Sequence, residues 1–162
     1  LVHGDGRPYT LAMNGNRWST KLFDELTNKE LHDLLKLRVD VFVVEQVCAY
    51  PEIDGADPTA IHLLAQNEED ELIAYGRILP PDEHGLPHVG RIVVRNDQRN
   101  QSLASELMQR ALEILLEHYG TRNSALAAQS HLEKFYTRFG YVRVGPDYMW
   151  DGIMHVDMER GE

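Results

Sequence analysis

A chain of 162 residues, 43% apolar and 26% charged, has the length and composition of one soluble globular domain that buries a core without disulfides or metal. Its formal charge of −10 at pH 7 argues against nonspecific nucleic-acid or acidic-membrane binding, because long-range repulsion opposes both. The single cysteine, Cys48, excludes an internal disulfide; with no apolar run of membrane-spanning length and no targeting segment at the start, the expectation is a cytoplasmic protein.

Residues 1–16 are polar and glycine-dotted and read as an N-terminal extension of uncertain order, with a single domain over 17–162. Trp18 to Phe23 predicts a first strand. Thr27 and Glu30 then form a capping box, in which hydroxyl and carboxylate each satisfy a free N–H. The helix it opens carries Leu31, Leu34 and Leu35 on one face and runs to about Gln46. Prolines, a glycine and acidic residues make Ala49 to Thr59 a loop. Ala60–Gln66 and Glu71–Leu79 predict a hairpin across the polar turn Asn67-Glu68-Glu69-Asp70. A turn from Pro80 to Pro87 leads into a strand from His88 to Val94, whose Ile92, Val93 and Val94 suit a buried position. Leu103, Leu107, Met108, Ala111, Leu112 and Leu115 recur at helical spacing, predicting a helix from about Gln101 to His118 that stops at Gly120. Ser124–Gln129 predicts a short strand and Ser130–Phe139 a helix ended by Gly140. Tyr141–Val144 and Ile153–Met158 are the closing strands. The order strand, helix, three strands, helix, strand, helix, two strands is a mixed α+β layout around one sheet of about seven strands.

Between Gly90 and Leu112 the order is strand, polar turn, helix, the geometry in which a helix N-terminus offers free N–H groups to an anion. Arg91, Arg95 and Arg99 lie beside that turn in an acidic chain, which points to a phosphate-bearing ligand. The competing reading is an ordinary strand-to-helix connection with solvated arginines. In the next helix Leu132, Phe135 and Phe139 share an apolar face with Tyr136 at its boundary. Tyr136 is there either a core-edge aromatic or a hydroxyl able to protonate a departing thiolate. His84 and His88 have i, i+4 spacing, but Gly85 and Pro87 break the helix that a metal pair would need, and no metal is expected. Glu52, Asp54 and Asp57 lack the EF-hand spacing; they are expected to solvate a loop or to draw a cationic substrate towards a cleft.

Arg99-Asn100-Gln101-Ser102-Leu103-Ala104, preceded by Val94, resembles the acyl-CoA-binding motif of the GCN5-related N-acetyltransferases, Arg/Gln-x-x-Gly-x-Gly/Ala, with Ser102 in place of the first glycine. Phe135, Tyr136, Gly140 and Tyr141 match the spacing of that family's second motif, Asn-x-x-Ala-x-x-Phe/Leu-Tyr-x-x-x-Gly-Phe/Tyr. Gln129 replaces its asparagine and Leu132 its alanine. Leu37 to Gln46, followed by Cys48, Tyr50, Glu52-Ile53-Asp54-Gly55 and Asp57, is similar to the signature of the ElaA-like branch. Ala128 to Leu132 and Asp151 to His155 look similar to it too. The resemblance covers about Trp18 to Met158.

It implies a mostly antiparallel sheet flanked by helices and splayed between its fourth and fifth strands, with acetyl-CoA in the splay. Ile92, Val93 and Val94 would hold the pantetheine arm through the backbone, with Gln129 touching it. A backbone N–H near Val94 would polarise the thioester carbonyl. Arg99, Asn100, Gln101, Ser102, Leu103 and Ala104 would cap the pyrophosphate, with Arg99 adding charge. A primary amine would attack directly, and Tyr136 would protonate the leaving thiolate. No motif marks the base. Glu45, His62, His131 and His155 are candidates, Glu45 first because the helix and loop after the first strand line the acceptor side in this family. The acceptor would be a small molecule or a protein amine, the acidic charge leaning towards a cationic small molecule. Nothing implies nucleic acid or membrane, and a homodimer stays open. The rival reading is a noncatalytic acyl-CoA-binding or regulatory domain: Ser102 and Asn100 lean that way, and Phe135-Tyr136 leans towards the enzyme.

Overall fold

Five successive buried residues, Ile61 to Ala65, fill a strand covered on both faces. Successive side chains point to opposite sides, so Ile61, Leu63 and Ala65 enter one apolar core and Leu64 another. The computed structural model describes residues 15–100 and 102–161. Leu1 to Asn14 of the expected extension, Gln101 and Glu162 lie outside the described residues.

The strands are β1 (Arg17–Leu22), β2 (Ile61–Gln66), β3 (Leu72–Leu79), β4 (His88–Val94), β5 (Ser124–Gln129), β6 (Val142–Arg143), β7 (Tyr148–Trp150) and β8 (Ile153–Arg160). They form one sheet in the order β1-β2-β3-β4-β5-β8-β6, with β7 also on β8. All pairs are antiparallel except β4 and β5, which run parallel and share the single register pair His88–Ala125. The eighth strand exceeds the expected count. Asp151 and Gly152, both at positive φ, form a two-residue turn between Trp150 and Ile153, which is Asp-Gly hairpin chemistry; the expected closing strands, Tyr141–Val144 and Ile153–Met158, leave β7 out.

Helix α1 (Asn28–Arg38) starts at the expected capping box: Glu30 N–H donates to Thr27 Oγ1 at 3.1 Å and Thr27 N–H to Glu30 Oε2 at 2.8 Å. Past Arg38 the helix widens into π geometry over Val39–Glu45, where Gln46 N–H reaches back five residues to the Val41 carbonyl. Leu34, Leu37 and Val41 pack on Leu64, Tyr75 and Val93. On the other face α2 (Leu103–Tyr119) buries Leu103, Leu107, Met108, Ala111, Ile114 and Leu115 and ends at Gly120, φ 70°. The expected helix over Ser130–Phe139 is a 3-10 turn at Ser130–Leu132 followed by a short α3 (Glu133–Thr137).

Glu52 and Asp57 are buried rather than solvated, and Asp54, at the surface, is tied into the same network. Arg38 of α1, which is fully buried, donates Nε to Glu52 Oε1 at 2.8 Å and Nη1 to Asp57 Oδ1 at 2.7 Å. Arg77 of β3 donates Nη1 to Asp57 at 2.8 Å and both Nη atoms to Asp54. Arg91 of β4 donates Nε to Glu52 Oε1 at 2.7 Å. Three cations from three elements thus neutralise three anions of one loop. Buried His62 completes the floor, its Nδ1 and Nε2 engaged by the Tyr75 hydroxyl at 2.7 Å and the Asp57 carbonyl at 3.0 Å.

The hydrogen bonds from Arg77 hold the Asp54 carboxyl far below its usual range. Burial alone would raise Asp57, but Arg38 and Arg77 outweigh it and leave it lowered. Burial lowers His62. For all three the unfolded chain binds protons at a higher pH than the folded one, so acid removes stability. Loss is expected to begin below about pH 6.5, as unfolded-state His62 protonates, and to steepen below about pH 4 as the carboxylates follow. Urea denaturation across that range checks this; stability unchanged down to about pH 4 would remove His62 from the account.

Candidate active site

Beyond the His88–Ala125 pair, β4 and β5 part. A cleft of about 870 Å³ opens between them. Its walls are Gly90 to Val94 of β4, Leu126, Ala127 and Gln129 of β5, and Phe42, Glu45 and Gln46 from the π turn. Phe135 and Tyr136 of α3 close one side, and Trp150, Asp151 and His155 stand at another. A second cavity of about 460 Å³ lies at the N-terminus of α2 and shares Val94, Arg99, Ala104 and Phe135 with the first.

Strand β4 carries a bulge facing this cleft. Arg77 pairs with Gly90 and Tyr75 with Val93, so Gly76 alone opposes both Arg91 and Ile92. A Cβ on Gly76 would come within 2.8 Å of Ile92 Cδ1, so a side chain there would make Ile92 shift. Arg91 adopts φ 53°, a left-handed conformation that costs a non-glycine residue about 1–2 kcal/mol. Its ion pair with Glu52, and a 3.3 Å contact from Nη2 to Asp54 Oδ2, hold the conformation in place. Arg95 N–H donates to the Ile73 carbonyl at 2.8 Å, so strand alternation turns the Val94 N–H and C=O away from β3, towards the gap. Arg99 Nε donates to that Val94 carbonyl at 3.2 Å.

The turn into α2 has Asn100 at φ 65° and Ser102 at φ 62°. Ser102 makes no side-chain cap bond, and the first helical N–H groups have no partner within the helix. Arg99, Asn100, Ser102, Leu103 and Ala104 surround the smaller cavity. Arg138 lines it as well, its guanidinium 5.1 Å from the Phe135 ring and donating Nη2 to Ser105 Oγ at 3.3 Å.

Side chains from the π turn engage both walls. Glu45 takes a bidentate bond from Arg99, at 2.5 and 3.0 Å, and Gln46 Oε1 accepts from Gln129 Nε2 at 2.9 Å. Arg99 holds the Glu45 carboxyl below its usual range, which makes it a poor proton acceptor. Tyr136 is buried, edge-on to Phe135 with ring centroids 5.0 Å apart. Burial pushes its hydroxyl well above its ordinary range, so it holds its proton at neutral pH and is available as a proton donor. Among the described residues no group of three His, Cys, Asp or Glu could hold a metal, and no helix is long and apolar enough to cross a membrane.

The sequence pattern of the acetyltransferase (GNAT) domain family matches residues 27–161. The chain belongs to the GNAT acetyltransferase family. Protein ElaA of Escherichia coli (strain K12) is 41% identical over 146 residues, 88% of this chain and 95% of that protein. The crystal structure of Escherichia coli ElaA matches with a TM-score of 0.84 at 38% identity, covering 90% of this chain and 99% of that one. An acyl-CoA N-acyltransferase from Pseudomonas aeruginosa also matches with a TM-score of 0.84, at 40% identity and coverage of 89% and 99%. These similarities place the chain on the ElaA-like branch.

Membership of the GNAT family carries an acyl-CoA cosubstrate, and the two joined cavities fit one: an apolar slot beside unpaired strand edges, then a helix N-terminus with free donors. Ile92, Val93, Val94, Arg99, Ala104 and Gln129 line the larger cavity, and Asn100, Ser102 and Leu103 the smaller. Gln101 lies outside the described residues. Of the three arginines grouped at this turn, only Arg99 lines the smaller cavity. Arg91 serves the Glu52 loop, and Arg95 donates Nε to Asp97 at 2.7 Å and Nη1 to Glu71 at 3.1 Å. Arg138 carries no signal in its own stretch, because it reaches this cavity only through the fold, where it donates to Ser105 of α2. Ser102→Gly is expected to relieve the left-handed backbone and raise the unfolding free energy by about 1 kcal/mol, and to tighten coenzyme A. Calorimetric titration and urea melts check both, and unchanged values would show that serine sits there without penalty.

Proposed function

We propose that the chain transfers the acetyl group of acetyl-CoA to a primary amine by direct attack, without a covalent acyl-enzyme. The observation that carries this is the β4–β5 parting, which opens a cleft onto unpaired backbone groups of a bulged strand and onto Tyr136, beside a second cavity at the α2 N-terminus that shares Val94, Arg99, Ala104 and Phe135 with it. In this reading Ile92, Val93 and Val94 align the pantetheine arm beside Gln129. A backbone N–H near Val94 donates to the thioester oxygen as negative charge grows on it. The N–H groups from Arg99 to Ala104, with the charge of Arg99, hold the pyrophosphate. Tyr136 delivers its proton to the departing sulfur. The net negative charge of the chain favours a cationic small-molecule acceptor.

Two contacts favour the rival noncatalytic reading: Arg99 is bound to Glu45, and Gln129 to Gln46. Thermal and chemical unfolding with and without acetyl-CoA separates the two when Tyr136→Phe is compared with the parent. Ligand at a hundred times its Kd adds about 2.7 kcal/mol, and both proteins are expected to gain it. The variant is expected to lose about 10²-fold or more in kcat. No stabilisation in either protein removes the enzyme reading; stabilisation with equal turnover removes Tyr136 from it.

Because Glu45 competes with phosphate for Arg99, Glu45→Gln is expected to tighten coenzyme A by up to about fivefold, the scale of a half-exposed ion pair. Titration calorimetry reads this directly. Weaker binding would mean that Glu45 instead holds Arg99 ready.

A further inference from the structure

An alkylamine resembles a lysine side chain, whose pKa of about 10.4 leaves it almost wholly protonated at neutral pH. It cannot attack a carbonyl until a proton leaves. Glu45 is bound by Arg99, and both ring nitrogens of His62 are engaged in the floor of the Glu52 loop. His131 lines the cleft with no hydrogen bond orienting its ring among the described residues.

His155 is different. It stands on β8 directly opposite Gln129, at the open end of β5, and lines the cleft. Its Nδ1 lies 2.9 Å from the Ile153 carbonyl. A carbonyl only accepts, so Nδ1 carries the hydrogen and Nε2 of the neutral ring holds a lone pair. The ring is gripped by Tyr148, stacked with centroids 6.1 Å apart, and by Trp150 at 5.5 Å. The Tyr148 hydroxyl donates to Asp157 Oδ1 at 2.6 Å and so keeps its own ring in place. Nε2 has no hydrogen-bond partner among the described residues.

We propose that His155 is the general base: its Nε2 takes one proton from the acceptor ammonium. This rests on the transferase reading above. The neutral amine then forms the C–N bond, the C–S bond breaks, and Tyr136 protonates the sulfur. The second nitrogen proton returns to Tyr136 through water, and the imidazolium releases its proton to solvent. The titratable side chains of Glu45, Cys48, Tyr50, His131, Tyr136 and Asp151 line the same cleft, Tyr148 with Asp157 stands against the His155 ring, and the Cys48 thiol donates to the Asp151 carbonyl at 2.8 Å.

The test uses ethylamine and 2,2,2-trifluoroethylamine, of similar shape; the second is weakly basic and largely neutral at pH 7. His155→Gln is expected to lower kcat/KM for ethylamine by about a hundredfold, with the Kd for acetyl-CoA unchanged and little loss for trifluoroethylamine. His155→Ala is expected to regain ethylamine turnover when free imidazole is added. Nitrogen NMR of the protein alone is expected to show the Nδ1–H tautomer at His155. Equal losses for both amines, or a dominant Nε2–H tautomer, would overturn the assignment. Absence of transfer to either amine by the parent protein, with acetyl-CoA still bound, would overturn the transferase reading and the base with it.

Discussion

The structure turns on one place where a sheet stops being a sheet. Parallel β4 and β5 meet at His88 and Ala125 and then separate, leaving strand edges whose N–H and C=O groups have no neighbouring strand. Unpaired backbone groups are costly to bury, so a parting in mid-sheet survives only where something else can use them. Here the Val94 carbonyl is taken by Arg99, and its N–H faces a cleft of about 870 Å³. The apolar and aromatic side chains of Phe42, Leu126 and Phe135 line the same space, which gives an acyl-CoA cosubstrate both a dry wall and a polar one.

The bulge that faces the parting is held from outside the strand. Arg91 keeps a left-handed backbone because Glu52 and Asp54 grip its guanidinium, and those acids are themselves set by Arg38 and Arg77. Burying such a cluster is expensive, and breaking it by removing one partner is more so. The consequence is a rigid loop beside the bulge, with α1, β3 and β4 tied to it. The π turn belongs to the same arrangement: it directs Glu45 and Gln46 across the cleft to Arg99 and Gln129. Arg99 and Gln129, the side chains proposed to meet coenzyme A, are thereby held by a charged and a neutral contact respectively.

Much of this is legible in the chain itself. Periodicity and caps mark the strands from Trp18 to Val94, the helix after Ser102 and its glycine stop, because local patterns report local backbone preference. Arg99 to Ala104 and Phe135-Tyr136 point to acyl-CoA chemistry through their resemblance to the motifs of the family; by themselves the residues suggest an anion at the turn and an aromatic at the core edge. The hairpin of β7 and β8 was also legible, in Asp151-Gly152, though the surrounding Gly145-Pro146 masks it.

Tertiary structure alone decided which charges meet. Nothing local in Arg91, Arg95 and Arg99 separates Arg99, which lines the smaller cavity, from the two that do not. Glu52 and Asp57 read as loop solubility and are buried anchors, because Arg38 and Arg77 arrive from distant elements. In the proposed mechanism His155 replaces Glu45 as proton acceptor for the same reason: Arg99 binds the first, while the Ile153 carbonyl and two aromatic rings hold the second. Spacing along a chain determines which groups a helix or strand presents; ion pairing falls off with distance in space, and only the fold sets that distance.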